Sequence, residues 1–256
     1  MPDRRPLLYL ARQYPMPVSS SARLRTFNWI LHLSRRFDVT LVAPVWKPLT
    51  ETDLEALGGR CKRLIVPVPS VCGGPVRRAV MTLAAEAHYL ASGLPPERFH
   101  LQNGRVREAV ELELRNQRFD VAFAERWTWG ELFLDAAPFT VLDAGELQAS
   151  RHSLALVQSR YPLRRLLRRR LQGRYEVAEA AVLSRATLVL VNDAASRRAV
   201  LRASGGSARA IVLPAGLDTS HFRSRSGPVD PRNVVFFGSL ASPTQRDALR
   251  HLHADL

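Results

Sequence analysis

What most constrains this chain is the recurrence of short apolar runs separated by long stretches of helical pattern. The runs are Leu7 to Ala11 (LLYLA), Phe37 to Ala43 (FDVTLVA), Leu64 to Val68, Asp120 to Ala124 (DVAFA), Phe139 to Leu142, Ala186 to Val191 (ATLVLV) and Ala210 to Leu213. Most lack the apolar–polar alternation of a strand with one wet face, so they read as strands buried on both faces. The gaps between them are too long for hairpins and long enough for helical crossovers. The expected fold is therefore α/β, a doubly wound parallel sheet of Rossmann-like type with helices on both faces. A helix-to-strand junction, Phe-Asp-Val, occurs twice, at Phe37 and at Phe119.

Helical spacing is clearest in Ala22 to Arg36, where Leu24, Phe27, Ile30, Leu31 and Leu33 mark a stripe. In Arg77 to Gly93 the residues Val80, Leu83, Ala84, Ala87 and Leu90 are expected to face inwards, and Pro95-Pro96 ends that helix. Gly104 to Arg118 is amphipathic. Pro162 to Arg185 combines Leu163, Leu166, Leu167 and Leu171 with a dense run of arginines. That segment reads either as a helix burying its leucines in the core or as a basic surface able to touch anionic lipid.

At 256 residues and 46% apolar content the chain holds one large domain, or one and a fraction. Its apolar stretches are far shorter than a membrane span, and no leader pattern opens it, so a cytoplasmic setting is expected. Cys61 and Cys72 are too few for a disulfide framework, and no Cys/His spacing suggests a metal. The net charge of +14 admits nucleic acid, an anionic membrane surface or phosphorylated ligands as partners. Lys47 and Lys62 are the only lysines, so the excess is almost all arginine, a skew that GC-rich coding produces without selection for nucleic acid. No nucleic-acid motif is present, and nucleic acid is not the expected partner.

Ligands of doubly wound sheets sit at the carboxyl ends of the strands. Glu125 and Arg126 follow the fourth run directly and are cleft candidates by position; pairing on the surface is the other reading. Asp143 and Glu146 follow the fifth run, with helix capping as the alternative for Asp143. Trp127 and Trp129 suit either core packing or a pocket wall. After the first run, Ser19-Ser20-Ser21 precedes a helix, a geometry in which backbone N–H groups and the helix dipole favour an anion. A capped helix start without a ligand fits the same residues equally well.

The segment Ile211 to Phe222 (IVLPAGLDTSHF) marks a boundary. Pro214 ends a strand because it has no N–H to give, Gly216 permits a turn, and Asp218 and Thr219 can cap it. The expected organisation is a first domain over 1–219, a linker over 220–232 rich in Ser, Arg, Gly and Pro, and the start of a second domain over 233–256. That last part holds a strand, Val234 to Gly238, and a helix, Thr244 to Ala254.

Pro214-Ala215-Gly216-Leu217-Asp218, then Phe222, then a strand ending in Gly238-Ser239, resembles the interdomain segment of the family 4 glycosyltransferases, which have the GT-B architecture. Ala215 stands where the family usually has Asn. The resemblance implies a Rossmann-like acceptor domain followed by the threshold of a donor domain. It implies a retaining transfer from a nucleotide-sugar to a polysaccharide or glycolipid acceptor, with no further cofactor; the basic segment 162–185 adds the inner face of the membrane to the expected cytoplasmic setting. On it, Ser20, Ser21 and Arg23 (with Arg25 as the other match to the family's arginine) and Gly238 and Ser239 lie near the donor phosphates. Asp143 and Glu146 take the catalytic, acceptor-side positions, and Gly145 stands at the family's usual His position; Glu125 and Arg126, candidates by strand-end position, would then line the acceptor cleft. The competing reading is a non-catalytic remnant or binding module for an anionic acceptor or membrane surface.

Overall fold

The computed structural model describes residues 4–46, 49–69, 72, 74–145, 147, 162–214, 216, 235–236 and 243–255, without the side chains of 162–170, 243–244 and 254–255. Two compact units are present, Met1–Gly216 and Leu217–Leu256.

The first unit is an α/β sandwich around a seven-stranded, all-parallel sheet. Its strands are β1 (Arg5–Leu10), β2 (Phe37–Val42), β3 (Arg63–Ile65), β4 (Val121–Ala124), β5 (Phe139–Gly145), β6 (Leu188–Val191) and β7 (Ala210–Val212). The helices are α1 (Ser21–Leu33), α2 (Glu51–Glu55), α3 (Pro75–Ser92), α4 (Pro96–Leu101), α5 (Arg105–Asn116), α6 (Glu131–Leu134), α7 (Pro162–Arg185) and α8 (Ala194–Ala203). A 3₁₀ turn, Trp127–Trp129, precedes α6. The strand order is β3-β2-β1-β4-β5-β6-β7, so the Rossmann-like doubly wound fold expected from the sequence is the fold observed.

The period-two side-chain alternation of a strand splits β1 between two cores. Leu7 and Tyr9 join one core with Val39, Leu41, Phe123 and Ile30 of α1. Leu8 and Leu10 join the other, with Val110 of α5, Phe133 of α6, Val182 and Leu183 of α7 and Val200 of α8. Trp127 and Trp129 are both buried in this second core. The helix caps agree with local chemistry. Ser20 accepts the Arg23 N–H at the start of α1, Thr50 and Asp53 form a capping box on α2, and Asp193 accepts the Ser196 N–H on α8. The proline pair at 95–96 does not only end α3. Pro96 opens α4, where its missing N–H is no loss.

One expectation is overturned. Val80, Leu83 and Leu90 of α3 are not turned inward but are 53%, 70% and 47% exposed; Ala87 is exposed as well, and Ala84 is only partly buried. The buried residues of this helix are Ala85 and Tyr89. The cause is position: the main contacts of α3 are with α4 and α7, outside the layer that covers the sheet.

In the second unit, helix α9 (Pro243–Asp255) is described. Val235 and Phe236 are in no strand, and Val235 is 87% exposed. The linker 220–232, the rest of the expected strand and the segment from Leu217 to Phe222 lie outside the described residues. No helix among the described residues is long and apolar enough to cross a membrane.

Candidate functional site

From β1 the chain runs to β2 and β3 and then crosses back to place β4 on the other side of β1. The order reverses between β1 and β4, the kind of switch point outside whose strand ends doubly wound sheets bind their ligands. Glu125 is the first residue after β4 and stands at that point, its N–H bonded to the Leu10 carbonyl. The Glu125 carboxyl is partly buried and turned inward. Tyr9 Oη donates to its Oε1 at 2.7 Å and the Arg12 N–H to its Oε2 at 2.9 Å. Thr26 of α1, whose hydroxyl donates to the Ala22 carbonyl at 3.1 Å, lies alongside and helps to offset burial. Burial nevertheless outweighs these donors and pushes the carboxyl above the ordinary glutamate range. Burial, with Glu125 alongside, also holds the Tyr9 phenol well above its ordinary range, so Tyr9 stays a donor.

This has a pH consequence with a definite sign. The folded state holds the Glu125 proton more tightly than the unfolded chain does. The stability this contributes is therefore complete below the ordinary pKa of 4.5 and is lost as pH rises through the higher folded value. Glu125→Gln, which cannot ionise, should lack this term. Urea titrations across the acid-to-neutral range should show wild type losing stability relative to the variant as pH rises; parallel pH profiles would contradict the raised pKa.

Next to Glu125, Asp143 lies near the end of β5 and is 5% exposed. Arg25 of α1 grips it with two bonds, Nε to Oδ2 at 2.6 Å and Nη2 to Oδ1 at 2.9 Å. Trp29 Nε1 donates to Oδ2 at 2.9 Å. Bidentate pairing of this kind is the strong form of ion pair, and the hydrogen bonds to Asp143 raise the Arg25 pKa further. Arg25 Nη2 also reaches the Leu213 carbonyl, at 3.4 Å, beyond β7. Phe123 backs the cluster, stacked on Tyr9 at 4.8 Å and tilted against Trp29 at 4.9 Å. Asp143 thus lies inside β5, which continues to Gly145, and is not a helix cap.

The serine loop behaves differently from Arg25. Ser20 is the N-cap of α1 and Ser21 its first residue, both exposed. Arg23 turns back on the loop, donating from Nη1 to the carbonyls of Met16 (3.3 Å) and Pro17 (2.9 Å) and to Ser19 Oγ (3.4 Å). Of the two arginines considered for this loop, it is Arg25 that joins the strand-end carboxylates. The signal was in the sequence. A cap at Ser20 sets the phase of α1, and Arg25 and Trp29, four apart, must then share a face.

Arg126 points away from Glu125, with Nη1 at 3.4 Å from Glu97 Oε2; Arg12 Nε holds Glu97 Oε1 at 3.2 Å. Two arginines thus surround one carboxylate beside the strand ends, with Trp46 Nε1 on the Arg12 carbonyl. At the end of β5, Gly145 has φ +61° and its carbonyl accepts the Asn192 N–H at 3.0 Å. A Cβ added there would meet Asn192 Nδ2 at 3.4 Å, an ordinary contact, so it is the positive φ that favours glycine where the resembled family carries a histidine. Glu146, Gly238 and Ser239 lie outside the described residues. Among the described residues no group of three His, Cys, Asp or Glu is placed to hold a metal ion.

The chain matches no family model, and no curated protein matches it.

Proposed function

We propose that this chain is the acceptor-side part of a GT-B glycosyltransferase resembling family 4, using a nucleotide-sugar donor with retention and building a polysaccharide or glycolipid at the cytoplasmic face of the membrane. The observation that carries the reading is convergence. Arg25, on the helix that follows the serine loop, binds Asp143 at the end of β5 and also reaches Leu213, next to the Pro214 segment. Three stretches that bear the resemblance thereby meet at one strand-end cluster. Glu125, with its raised pKa, suits proton transfer at an acceptor hydroxyl. Arginines here would stabilise charge developing on a leaving diphosphate. Asp143 and Glu146 remain the proposed acceptor-side pair, and Ser20, Ser21, Arg23, Gly238 and Ser239 the proposed donor-phosphate contacts.

The test is a panel of UDP- and GDP-sugars read by calorimetry and by release of nucleoside diphosphate. It is run on this chain and on whatever longer product its reading frame encodes. Binding of a nucleotide-sugar is expected, with turnover in the longer product falling about a hundredfold in Glu125→Gln. Absence of nucleotide-sugar binding in every form would remove the proposal.

A second reading has its own support. Both Asp143 oxygens are already occupied by Arg25 and Trp29, which favours a non-catalytic module binding an anionic acceptor. It predicts acceptor binding without turnover and no affinity for nucleotide-sugars.

A further inference from the structure

A pocket of about 250 Å³ lies where α3 meets α4 and the residue before α5, lined by Arg77, Met81, Phe99, His100, Asn103 and Gly104. It shares no residue with the strand-end cluster. Arg77 and Met81 stand four apart on α3, in phase with the buried Ala85, on the face that turns to α4. The opposite wall is held by rings. Phe99 meets His88 of α3 at 5.4 Å between centroids and stands edge-on to His100 at 5.5 Å. Trp46 meets the other side of this group, edge-on to His100 at 6.2 Å, and is itself fixed by Nε1 on the Arg12 carbonyl at 3.4 Å. Asn103 Nδ2 donates to the Phe99 carbonyl at 2.7 Å, which orients the amide and leaves its oxygen to accept.

The lining selects a ligand. It holds one cation and no acid. Among the described residues Arg77 has no ion-pair or hydrogen-bond partner, and Glu97, the acid of α4, is turned to Arg12 and Arg126. An anionic group is therefore the natural partner for Arg77. The ring of His100 has no hydrogen-bond partner among the described residues either. Burial pushes its pKa below the ordinary range, so at neutral pH it is uncharged, one nitrogen donating and the other accepting. With Asn103 it suits hydroxyl groups rather than a second charge. Phe99 and Met81 add an apolar surface for the C–H face of a ring. A neutral sugar would leave Arg77 unused, and a plain aryl acid would leave His100 and Asn103 without partners. The volume is just under the roughly 300–1,000 Å³ usual for ligand clefts, which fits one ring and not a chain. We propose that this pocket binds a single sugar ring bearing one anionic group, carboxylate or phosphate, with that group on Arg77, hydroxyls on His100 and Asn103 and a C–H face on Phe99. The proposal does not rest on the transferase reading, because no sugar donor takes part in the binding.

The experiment titrates glucuronic acid, glucose-6-phosphate, glucose and inorganic phosphate into the full chain by calorimetry, and repeats this with Arg77→Gln and with Asn103→Asp, which puts a carboxylate in the lining. Both residues are exposed, so far-UV circular dichroism and the melting temperature should stay at wild-type values, and if one variant folds poorly the other decides. At least one charged sugar is expected to bind about tenfold or more tighter than glucose, and to lose about tenfold or more in each variant, the worth of one charge-assisted hydrogen bond. The tighter of the two charged sugars identifies the anionic group. Failure of both charged sugars to bind would overturn the proposal, as would equal binding of glucose or variants that bind like wild type. Inorganic phosphate binding as tightly as glucose-6-phosphate, with no binding of glucuronic acid, would show an anion site without a sugar and overturn it too. Each of these failures leaves nucleotide-sugar binding, and with it the transferase reading, to its own test.

Discussion

Arg25→Met should lower the unfolding free energy by about 3 kcal/mol, because it leaves Asp143 buried without its counter-ion. Asp143 is only 5% exposed and takes two hydrogen bonds from this one guanidinium. Trp29 Nε1 would be the remaining side-chain donor, and a neutral indole N–H does not balance a charge. Arg25 itself keeps 22% of its side-chain surface, so the figure lies at the low end for buried pairs. Replacing both members, Arg25→Met with Asp143→Leu, should recover most of the loss, since apolar groups of similar volume substitute well for a buried pair. Urea unfolding of the two single variants and the double variant measures this directly. A loss below about 1 kcal/mol in Arg25→Met would mean that solvent reaches Asp143 and that the cluster is not closed.

Gly130→Ala is the other large effect, with a loss of about 4 kcal/mol expected from two sources that add. Gly130 has φ +50° and ψ −128°, a region that side chains avoid. A Cβ there would stand 2.5 Å from Gln102 Nε2 and 2.8 Å from Arg98 Nη2. Neither neighbour is idle. Gln102 donates to the Trp129 carbonyl at 3.0 Å, and Arg98 pairs with Glu131 at 2.8 Å while covering the face of Trp127. The methyl would therefore break the packing of the Trp127–Trp129 turn that follows directly on Glu125 and Arg126. Gly59→Ala is the comparison without a steric contact, because Gly59 has φ +73° and open space around its Cβ position; it should lose only about 1 kcal/mol. Equal losses in the two variants would show that the Gln102 and Arg98 contacts carry no weight.

The sheet was legible in the sequence because its strands are buried on both faces. Runs such as LLYLA and ATLVLV announce themselves without any need for periodicity, and the strand ends named Glu125 and Asp143 as candidates, which the structure brings side by side. What escaped was orientation. In α3 apolar residues fall on both sides of the helix, so spacing cannot choose a face. The choice is made by α4 and α7, which no local pattern in α3 encodes. The same limit applies to Arg23 and Arg25. Two residues apart on a helix they diverge by more than a right angle, and the cap at Ser20 decides which of them meets β5. The partners of Glu125 were hidden for a further reason. Tyr9 looks like a core residue of β1, and its hydroxyl matters only because β4 lies beside that strand, in register with Tyr9 against Phe123.

The two margins of the sheet carry a consequence for self-association. Both outermost strands, β3 and β7, are three residues long, so each offers a ledge of only about 10 Å to an incoming strand. Pro67 and Pro69 follow one and Pro214 follows the other, removing amide donors where the ledge would otherwise extend. Long, flat edges are what template cross-β stacking, and neither margin is of that kind. Among the described residues this sheet, apolar through its centre, thus offers little backbone to a second sheet, and recognition there falls to side chains: the carboxylates and arginines at the strand ends, and the outer surface of the helices.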